Sequence, residues 1–278
     1  MKKRVSIFPR SDRSRLLILF GIVFLQALYY LIRRGHLGLQ KDWQSVELTF
    51  NYTDFGFIKR GLLGDLFQRF ARALGLSYSY GFISAVQGIS LILFTLILLG
   101  CVFWFVRKTE PQLKDAAFIC ALFFVVLGGF SFYYLDWAEP DVYMIVLTLA
   151  SAACIYKDRF LFVIPINCAL CTMIHEGYPM MFFMIVMAML FYKWLSHPEK
   201  RRNKYLATLL LSGAVTSALF VYFYFFASCK DTMTLEIAQE RALRLTGVDQ
   251  ITNLEYTFFG GQTPINGFWA NGKPTFFL

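Results

Sequence analysis

The sequence predicts an all-α membrane protein, a bundle of about seven membrane-spanning helices with amphipathic helices on its outer face. Of its 278 residues, 57% are hydrophobic and only 16% are charged, a balance that is rare in soluble domains and excludes a disordered chain. The apolar residues gather into long runs separated by short charged clusters, which is typical of polytopic helical membrane proteins. No internal repeat or Gly/Ser-rich linker is visible, so we expect residues 1–278 to form a single membrane domain.

Windows of about 20 residues place seven apolar spans along the chain. The first span follows a strongly basic segment and ends without the small-residue pattern of a cleavage site, so it is predicted to be an uncleaved anchor. The remaining spans follow a long first outer loop and are separated by short connections. The seven predicted spans cover residues 16–32, 82–106, 116–135, 142–156, 160–174, 178–195 and 205–227.

The charged residues predict that the N-terminus faces the cytoplasm and that the C-terminal tail lies outside. With that orientation the inner segments carry 16 of the 27 Lys and Arg residues, although they are the shorter segments. Acidic residues show the opposite bias, because 13 of the 18 lie outside. Cytoplasmic loops of membrane proteins carry an excess of Lys and Arg. The net charge of +9 therefore reports orientation, and it does not indicate a nucleic-acid partner.

The first outer loop, residues 33–81, contains a dense group of reactive and aromatic side chains at residues 51–61. Asp54 is a candidate general base or metal ligand. Lys59 and Arg60 are a candidate phosphate-binding pair, because Arg offers a planar fork and Lys a point charge. The alternative is an interfacial loop with aromatic anchors and with cations whose stems lie along the membrane.

The residues after this stretch predict an amphipathic helix in the membrane surface. It would hold the stretch from Asp54 to Arg60 at the depth of the lipid headgroups, where a lipid phosphate lies. A purely structural belt helix is the alternative. The predicted apolar face comprises Leu62, Leu63, Leu66, Phe67, Phe70 and Leu74, and the predicted polar face comprises Asp65, Gln68, Arg69 and Arg72.

Two more polar clusters lie at the outer ends of predicted spans. Residues 136–141 contain three carboxylates, among them Glu139 and Asp141, and their alternative role is helix capping. The second cluster begins with His175 and Glu176, which are either catalytic or substrate-binding residues or a satisfied structural pair. Their spacing does not indicate a zinc site, because the HExxH pattern is missing.

A length argument places Asp141 and His175 below the outer surface. Each lies 16 residues from the tight turn at residues 157–159, so the two arms of this hairpin end at comparable heights. Sixteen helical residues span about 24 Å, which is less than the apolar thickness of about 30 Å. Ionisable groups at that depth face a cavity or each other, and they often mark function.

The outer tail, residues 228–278, predicts a second surface helix around Arg241 and Arg244. These arginines are either phosphate contacts or part of an ordinary helical pairing with Glu240. Trp269 lies among turn residues and aromatics and is a candidate for stacking on a sugar ring, with interfacial anchoring as the alternative. The apolar ending predicts either the start of a further span or a docked tail.

The sequence excludes the common nucleotide-binding sites. Neither GxxxxGK[ST] nor GxGxxG is present, and the inner loops are short. We therefore expect no nucleotide cofactor. Whether the protein needs a divalent cation is left open by the sequence. An enzyme with this layout would receive its activated substrate as a lipid on the outer side of the membrane.

The layout resembles the GT-C class of integral membrane glycosyltransferases and the related polysaccharide polymerases. The resemblance rests on an N-inside first span, a long first outer loop with Asp54 before a surface helix, and acidic and His residues at outer helix ends. It covers residues 1 to about 230 as topology. Enzymes of this class use polyprenyl-phosphate-linked sugars on the extracytoplasmic face, so the resemblance implies a lipid-linked sugar donor and a glycan acceptor.

The resemblance also implies roles for particular residues. Asp54 would be the catalytic base or a metal-binding carboxylate, and Lys59 and Arg60 would hold the lipid phosphate. The expected reaction is inverting attack of an acceptor hydroxyl on the anomeric carbon, with Asp54 removing the hydroxyl proton. The residues expected to bind the acceptor or to assist proton transfer are Glu139, Asp141, His175 and Glu176.

Two other function classes fit the same sequence. A transporter or flippase for a lipid-linked or anionic solute would use Asp141, His175 and Glu176 as a coupling site. It would need polar groups through the whole membrane depth, and the inner halves of the spans are nearly free of charge. A non-catalytic subunit of an envelope complex is the third reading. The expected location is the bacterial inner membrane.

Overall fold

The computed structural model describes residues 11–34, 48–129, 140–196, 199–226 and 234–246. Within these ranges every regular element is a helix, which confirms the all-α prediction there. Two short π-helical segments, Phe124–Gly129 and Pro179–Phe183, join longer helices. The α-helices are α1 (Asp12–Arg34), α2 (Tyr52–Phe55), α3 (Gly61–Ala73), α4 (Tyr80–Lys108), α5 (Lys114–Phe123), α6 (Asp141–Lys157), α7 (Val163–Ile174), α8 (Met184–Ser196), α9 (Glu199–Phe225) and α10 (Leu235–Thr246).

Three helical segments in the described residues are long and apolar enough to cross a membrane, fewer than the seven that the sequence predicted. They are Tyr80–Lys108, Pro179–Ser196 and Arg202–Phe223. Two of the other predicted spans correspond to helices that are too short. α6 has 17 residues and α7 has 12, or about 26 Å and about 18 Å against an apolar thickness of about 30 Å. Three helices of this kind indicate a membrane protein.

The chain divides into two compact units, one of residues 1–40 and 84–139 and the other of residues 41–83 and 140–278. Each unit is a group of helices from distant parts of the chain. The single membrane domain expected from the sequence stays a prediction.

In the first unit, ion pairs connect the start of α1 to the start of α5. The Arg15 guanidinium pairs with Asp115 and lies over the Phe118 ring, while Lys114 Nζ is 3.0 Å from the Asp12 carboxylate. Arg15 is only 4% exposed, so loss of Asp115 would leave a buried charge without this partner.

The second unit is built around α7, which packs between α6 and α9, with α8 against α6 and α9. Met144, Ile164 and Val186 are fully buried where these helices meet. One polar contact joins α6 and α7 in this interior, since the Asn167 side-chain amide donates to Ser151 Oγ at 3.0 Å. Interhelical hydrogen bonds of this kind hold helices together where no water is available.

A tight turn closes the α6–α7 hairpin at one end. Asp158 ends α6 in the left-handed conformation, with φ 57°, and its carboxylate accepts a hydrogen bond from the Tyr205 hydroxyl at 2.6 Å. Because α6 begins at Asp141 and α7 ends just before His175, these two residues lie at the open end of the hairpin.

The predicted division of α3 into one apolar and one polar face is wrong in part. Asp65 is 4% exposed and faces the protein, whereas Leu66, Phe70 and Leu74 are about half exposed. The reason is that α3 packs against α7 on one side, so a second apolar stripe remains on the other side. The side chains buried on α3 are Leu62, Leu63, Asp65, Phe67 and Ala71.

Candidate functional site

The segment that carries the two candidate phosphate-binding cations is a short capped helix followed by a sharp turn. Asn51 caps α2 by accepting the Asp54 N–H at 2.7 Å, and its amide donates to the Asp54 carboxylate at 2.7 Å. Gly56 then adopts φ 77°, ψ −172°, a conformation that essentially only glycine takes up. Arg60 follows in the left-handed region with φ 59°, and α3 begins directly after it.

Close backbone contact fixes this segment against α3. A methyl group added at Gly64 would lie 1.8 Å from the main-chain oxygen of Phe50, and one at Gly61 would lie 2.7 Å from the Tyr52 ring. The first clash involves backbone and cannot be relieved by rotating a side chain. Gly64 is therefore required for the approach of α3 to the residues before α2.

The central feature of the site is a two-point contact between Arg60 and Glu176. Arg60 Nε donates to Oε2 at 2.9 Å and Nη2 donates to Oε1 at 2.7 Å. Lys59 Nζ lies 3.9 Å from the same carboxylate. Both members of the bidentate pair are largely buried, with side chains 15% and 13% exposed. The contact brings the segment before α3 onto the connection between α7 and the helical segment Pro179–Ser196.

The Arg60 charge controls the ionisation of Glu176. Burial alone would raise the pKa of this carboxyl, but the charge and hydrogen bonds of Arg60 outweigh burial, and His175 and Lys59 add to them. The pKa of Glu176 is therefore held well below its ordinary value, and the carboxylate stays ionised at neutral pH.

His175 is held neutral beside this pair. Its pKa is lowered from 6.5 to about 4, mainly by burial and then by the Arg60 charge; Lys59 lowers it as well, and Glu176 acts in the opposite direction. Its Nδ1 accepts the Gly177 backbone N–H at 2.8 Å, which places the ring proton on Nε2. The 4.0 Å separation between Nδ1 and the Glu176 carboxylate is consequently not an ion pair.

Asp141 supplies a second carboxyl group with a different character. It is 8% exposed, and among the described residues its side chain has no hydrogen-bond or ion-pair partner. Burial raises its pKa, and the Arg60 charge offsets this rise only in part. Asp141, His175 and Glu176 all experience the Arg60 charge, so these residues with Lys59 form one cluster, which we call the outer cluster.

Asp54, the predicted catalytic base, makes its contacts outside the outer cluster. Its side chain is exposed and bound to Asn51, and within the described ranges no hydrogen bond or ion pair joins its carboxylate to Arg60 or Glu176. Its negative charge acts at Tyr78, whose pKa is raised mainly by burial and then by Asp54 and Asp65. The catalytic role of Asp54 stays a prediction.

Two of the predicted site residues, Glu139 and Trp269, lie outside the described residues. No group of three or more His, Cys, Asp or Glu side chains in the described part is placed to hold a metal ion. Of the predicted site residues, the structure thus brings five together in the outer cluster: Lys59, Arg60, Asp141, His175 and Glu176.

Sequence reasoning named two further residues but missed the roles by which they support this region. Asp65 is buried and accepts hydrogen bonds from Arg69 Nε at 2.7 Å and Thr53 Oγ1 at 3.3 Å. Arg241 binds the main chain of Asp54. The four-residue spacing of Asp65 and Arg69 was a usable signal for their pairing, whereas no sequence signal connects Arg241 with Asp54.

No known protein family, curated protein or solved structure matches this chain.

Proposed function

We propose that the chain is a multi-pass membrane glycosyltransferase that takes its sugar from a polyprenyl phosphate at the extracytoplasmic face. The product would be a cell-envelope polysaccharide or glycan, and the protein would lie in the bacterial inner membrane with its N-terminus inside. The observation that carries the proposal is the buried Arg60–Glu176 pair, with Lys59 beside it, at the start of the amphipathic helix α3.

The arrangement of the two cations supports recognition of a phosphate. Glu176 contacts Arg60 through two parallel hydrogen bonds, which is also the geometry in which a guanidinium binds phosphate. A guanidinium that is already oriented in a largely buried site loses little freedom when it binds an anion. Lys59 adds a second positive charge within 3.9 Å of the same carboxylate.

The position of α3 supports a phosphate that is attached to a lipid. α3 starts immediately after Arg60 and exposes the apolar side chains Leu66, Phe70 and Leu74. A helix with such a stripe lies at the boundary between headgroups and acyl chains. Lys59 and Arg60 would then be at the depth of a lipid phosphate.

The reaction we propose is inverting transfer of the sugar. An acceptor hydroxyl oxygen forms a bond to the anomeric carbon while the bond from that carbon to the phosphate oxygen breaks, and its electron pair stays on the phosphate. Asp54 takes the hydroxyl proton, and Lys59 and Arg60 stabilise the leaving phosphate. His175, a neutral donor at Nε2, and Asp141 bind the acceptor. A phosphate leaving group needs no general acid.

The test uses the full chain in lipid nanodiscs with polyprenyl phosphate as the probe. We expect Arg60→Gln to weaken binding at least tenfold, and Lys59→Gln to weaken it at least threefold while leaving the Arg60–Glu176 pair intact. Arg72→Gln is the matched control, because Arg72 is an exposed cation of the same helix, and it should stay within twofold of the wild type. Failure of the wild type to bind, or equal losses in all three variants, would contradict the proposal.

The transfer step needs a separate measurement. A panel of polyprenyl-phosphate sugars is incubated with the nanodiscs and an envelope glycan fraction, and the release of polyprenyl phosphate is followed. Asp54→Asn should abolish release and leave binding unchanged. Retained release in Asp54→Asn would remove Asp54 from the mechanism.

One observation favours a second candidate, a transporter for an anionic or lipid-linked solute. Asp141 is a buried carboxyl group whose pKa is raised by burial, and such groups serve as coupling sites in transporters. Uptake of labelled polyprenyl phosphate across a vesicle membrane, without release of sugar, would favour this candidate over transfer.

A further inference from the structure

The C-terminal helix α10 packs directly against the segment that carries the two cations. Ala238 and Ala242 of α10 are fully buried in one cluster with Phe50, Phe55 and Ile58. The two alanines are one helical turn apart, and their small side chains let the aromatic rings approach the helix backbone. α10 therefore forms one wall of the apolar core beneath residues 50–58.

Arg241 adds a polar contact at the same surface. Its Nη1 donates to the main-chain oxygen of Asp54 at 2.8 Å, and its guanidinium carbon lies 5.5 Å from the centre of the Phe55 ring. The first contact holds the backbone of α2, and the second is a cation–π interaction with a buried ring. A single side chain of α10 thus fixes the last two residues of α2.

The cation segment needs such support because its own local structure is weak. α2 has only four residues, and a single helical turn is not stable by itself in water. Arg60 is held in the left-handed conformation with φ 59°, which costs free energy in a residue other than glycine and persists only when surrounding contacts enforce it. Glu176 holds the side-chain end of Arg60, and α10 holds the backbone upstream of it.

We propose that Arg241 is a positioning residue for the anion site: α10 fixes the backbone of residues 51–60 and thereby sets the height and direction of Lys59 and Arg60. Arg241 acts through the segment and does not itself contact the anion. The inference rests on the proposed function for the identity of the anion, the phosphate of a polyprenyl lipid. Arg241 therefore has a different role from the direct phosphate contact that the sequence suggested.

The experiment compares Arg241→Gln, Arg241→Lys and Arg244→Gln in the full chain in nanodiscs. Arg244 is the matched control, because it is an exposed arginine on the same helix. Three quantities are measured: amide hydrogen exchange of residues 51–60, the rate at which a water-soluble reagent acylates the Lys59 amine, and the Kd for polyprenyl phosphate. The first two do not depend on any ligand.

We expect Arg241→Gln to accelerate exchange at residues 51–60 at least fivefold, to change the Lys59 acylation rate at least threefold, and to weaken binding about fivefold to tenfold. Arg241→Lys, which keeps a cation over Phe55 and one donor for the carbonyl, should recover part of each loss. Arg244→Gln should match the wild type within twofold.

Three results would overturn the proposal. Unchanged exchange and unchanged binding in Arg241→Gln would show that α10 does not position the segment. Weaker binding with unchanged exchange would show that Arg241 contacts the ligand directly. Faster exchange with unchanged binding would show that the position of the segment is irrelevant to the site. If the wild type does not bind polyprenyl phosphate, the proposed function fails. The amide exchange of residues 51–60 and the Lys59 acylation rate then decide whether Arg241 positions the segment.

Discussion

Two arginine–carboxylate pairs at α3 have nearly the same hydrogen-bond lengths and very different surroundings. Arg69 lies four residues after Asp65 and binds it at 2.7 Å, with an arginine side chain that is 68% exposed. Arg60 binds Glu176, 116 positions away along the sequence, also at 2.7 Å, and both side chains are largely buried. The first pair lies within one helix, whereas the second joins the segment before α3 to the residues that follow α7.

The comparison teaches that contact geometry does not reveal what an ion pair does. A pair whose arginine is exposed contributes little, because water and salt screen that charge. A buried pair requires removal of both charges from water, a cost of several kcal/mol that the pairing only partly recovers. A buried pair is thus a poor way to gain stability, and its presence at the outer cluster favours a functional role for Arg60.

The largest expected effect comes from breaking the buried pair on one side. Glu176→Ala leaves the Arg60 guanidinium buried without its bidentate partner and should lower the free energy of unfolding by about 3–5 kcal/mol. The midpoint of thermal unfolding in nanodiscs measures it. Replacing both residues, as in Arg60→Met with Glu176→Leu, should restore most of the stability and still abolish phosphate binding. A double variant as unstable as the single one would contradict this account.

The next largest effect is acid destabilisation through His175. Its pKa is about 4 in the folded protein against 6.5 ordinarily, so the unfolded chain binds more protons between these values. Stability is therefore full above pH 6.5, falls by about 2–3 kcal/mol as the pH drops to 4, and then levels off for this residue. Glu176, with a depressed pKa, adds a loss that begins below pH 4.5.

Unfolding midpoints from pH 8 to pH 4 measure this dependence. His175→Gln removes the titrating group and should flatten the curve between pH 6.5 and pH 4.5 while leaving the Glu176 loss at lower pH. An unchanged curve in His175→Gln would assign the acid sensitivity to another group.

A smaller effect of opposite sign is expected at Asp141. Burial raises its pKa, so the folded state favours the protonated form, and stability decreases as the pH rises from 3.8 through the raised value. Asp141→Asn removes the buried charge and should raise the unfolding midpoint by a few degrees at pH 8, with little change at pH 4. A stability gain accompanied by a loss of acceptor binding is what a functional buried carboxyl predicts. A variant that is less stable at pH 8 would assign Asp141 a structural role.

The smallest effect is expected for the Asp65–Arg69 pair, in which only the arginine is exposed, at 68% against 6% for Asp65. Arg69→Gln should change stability by about 0.5 kcal/mol or less, and 0.5 M salt should remove most of the difference. The stability change of Arg69→Gln is the reference with which the loss in Glu176→Ala is compared. A loss comparable to that of Glu176→Ala would mean that burial of Asp65, and not exposure of Arg69, determines the energy.

Local patterns in the sequence predicted much of the fold. The apolar runs fixed the helical class and the approximate bounds of the helices in the described residues, because hydrophobic periodicity is a local property. The number of membrane-crossing helices did not follow in the same way. α6 and α7 are largely apolar yet have 17 and 12 residues, and an apolar composition alone does not distinguish a short buried helix from a span.

The candidate site was predicted as separate pieces. Lys59, Arg60, Asp141, His175 and Glu176 were all selected as unusual charges beside apolar runs, and the structure brings them into one cluster. Their pairing was not predictable, since a contact over 116 positions leaves no periodic signal. The same limit explains the errors at α3, where burial of Asp65 depends on which side of the helix meets α7.

The sequence by itself determined that this is a helical membrane protein and which charged residues lie near the ends of its helices, because hydropathy and residue type are properties of local stretches. Only the tertiary structure decided that Glu176 neutralises Arg60, that His175 is neutral with its proton on Nε2, and that Arg241 holds the backbone of Asp54. These outcomes depend on burial and on distances between remote parts of the chain. Both quantities exist only once the helices have packed.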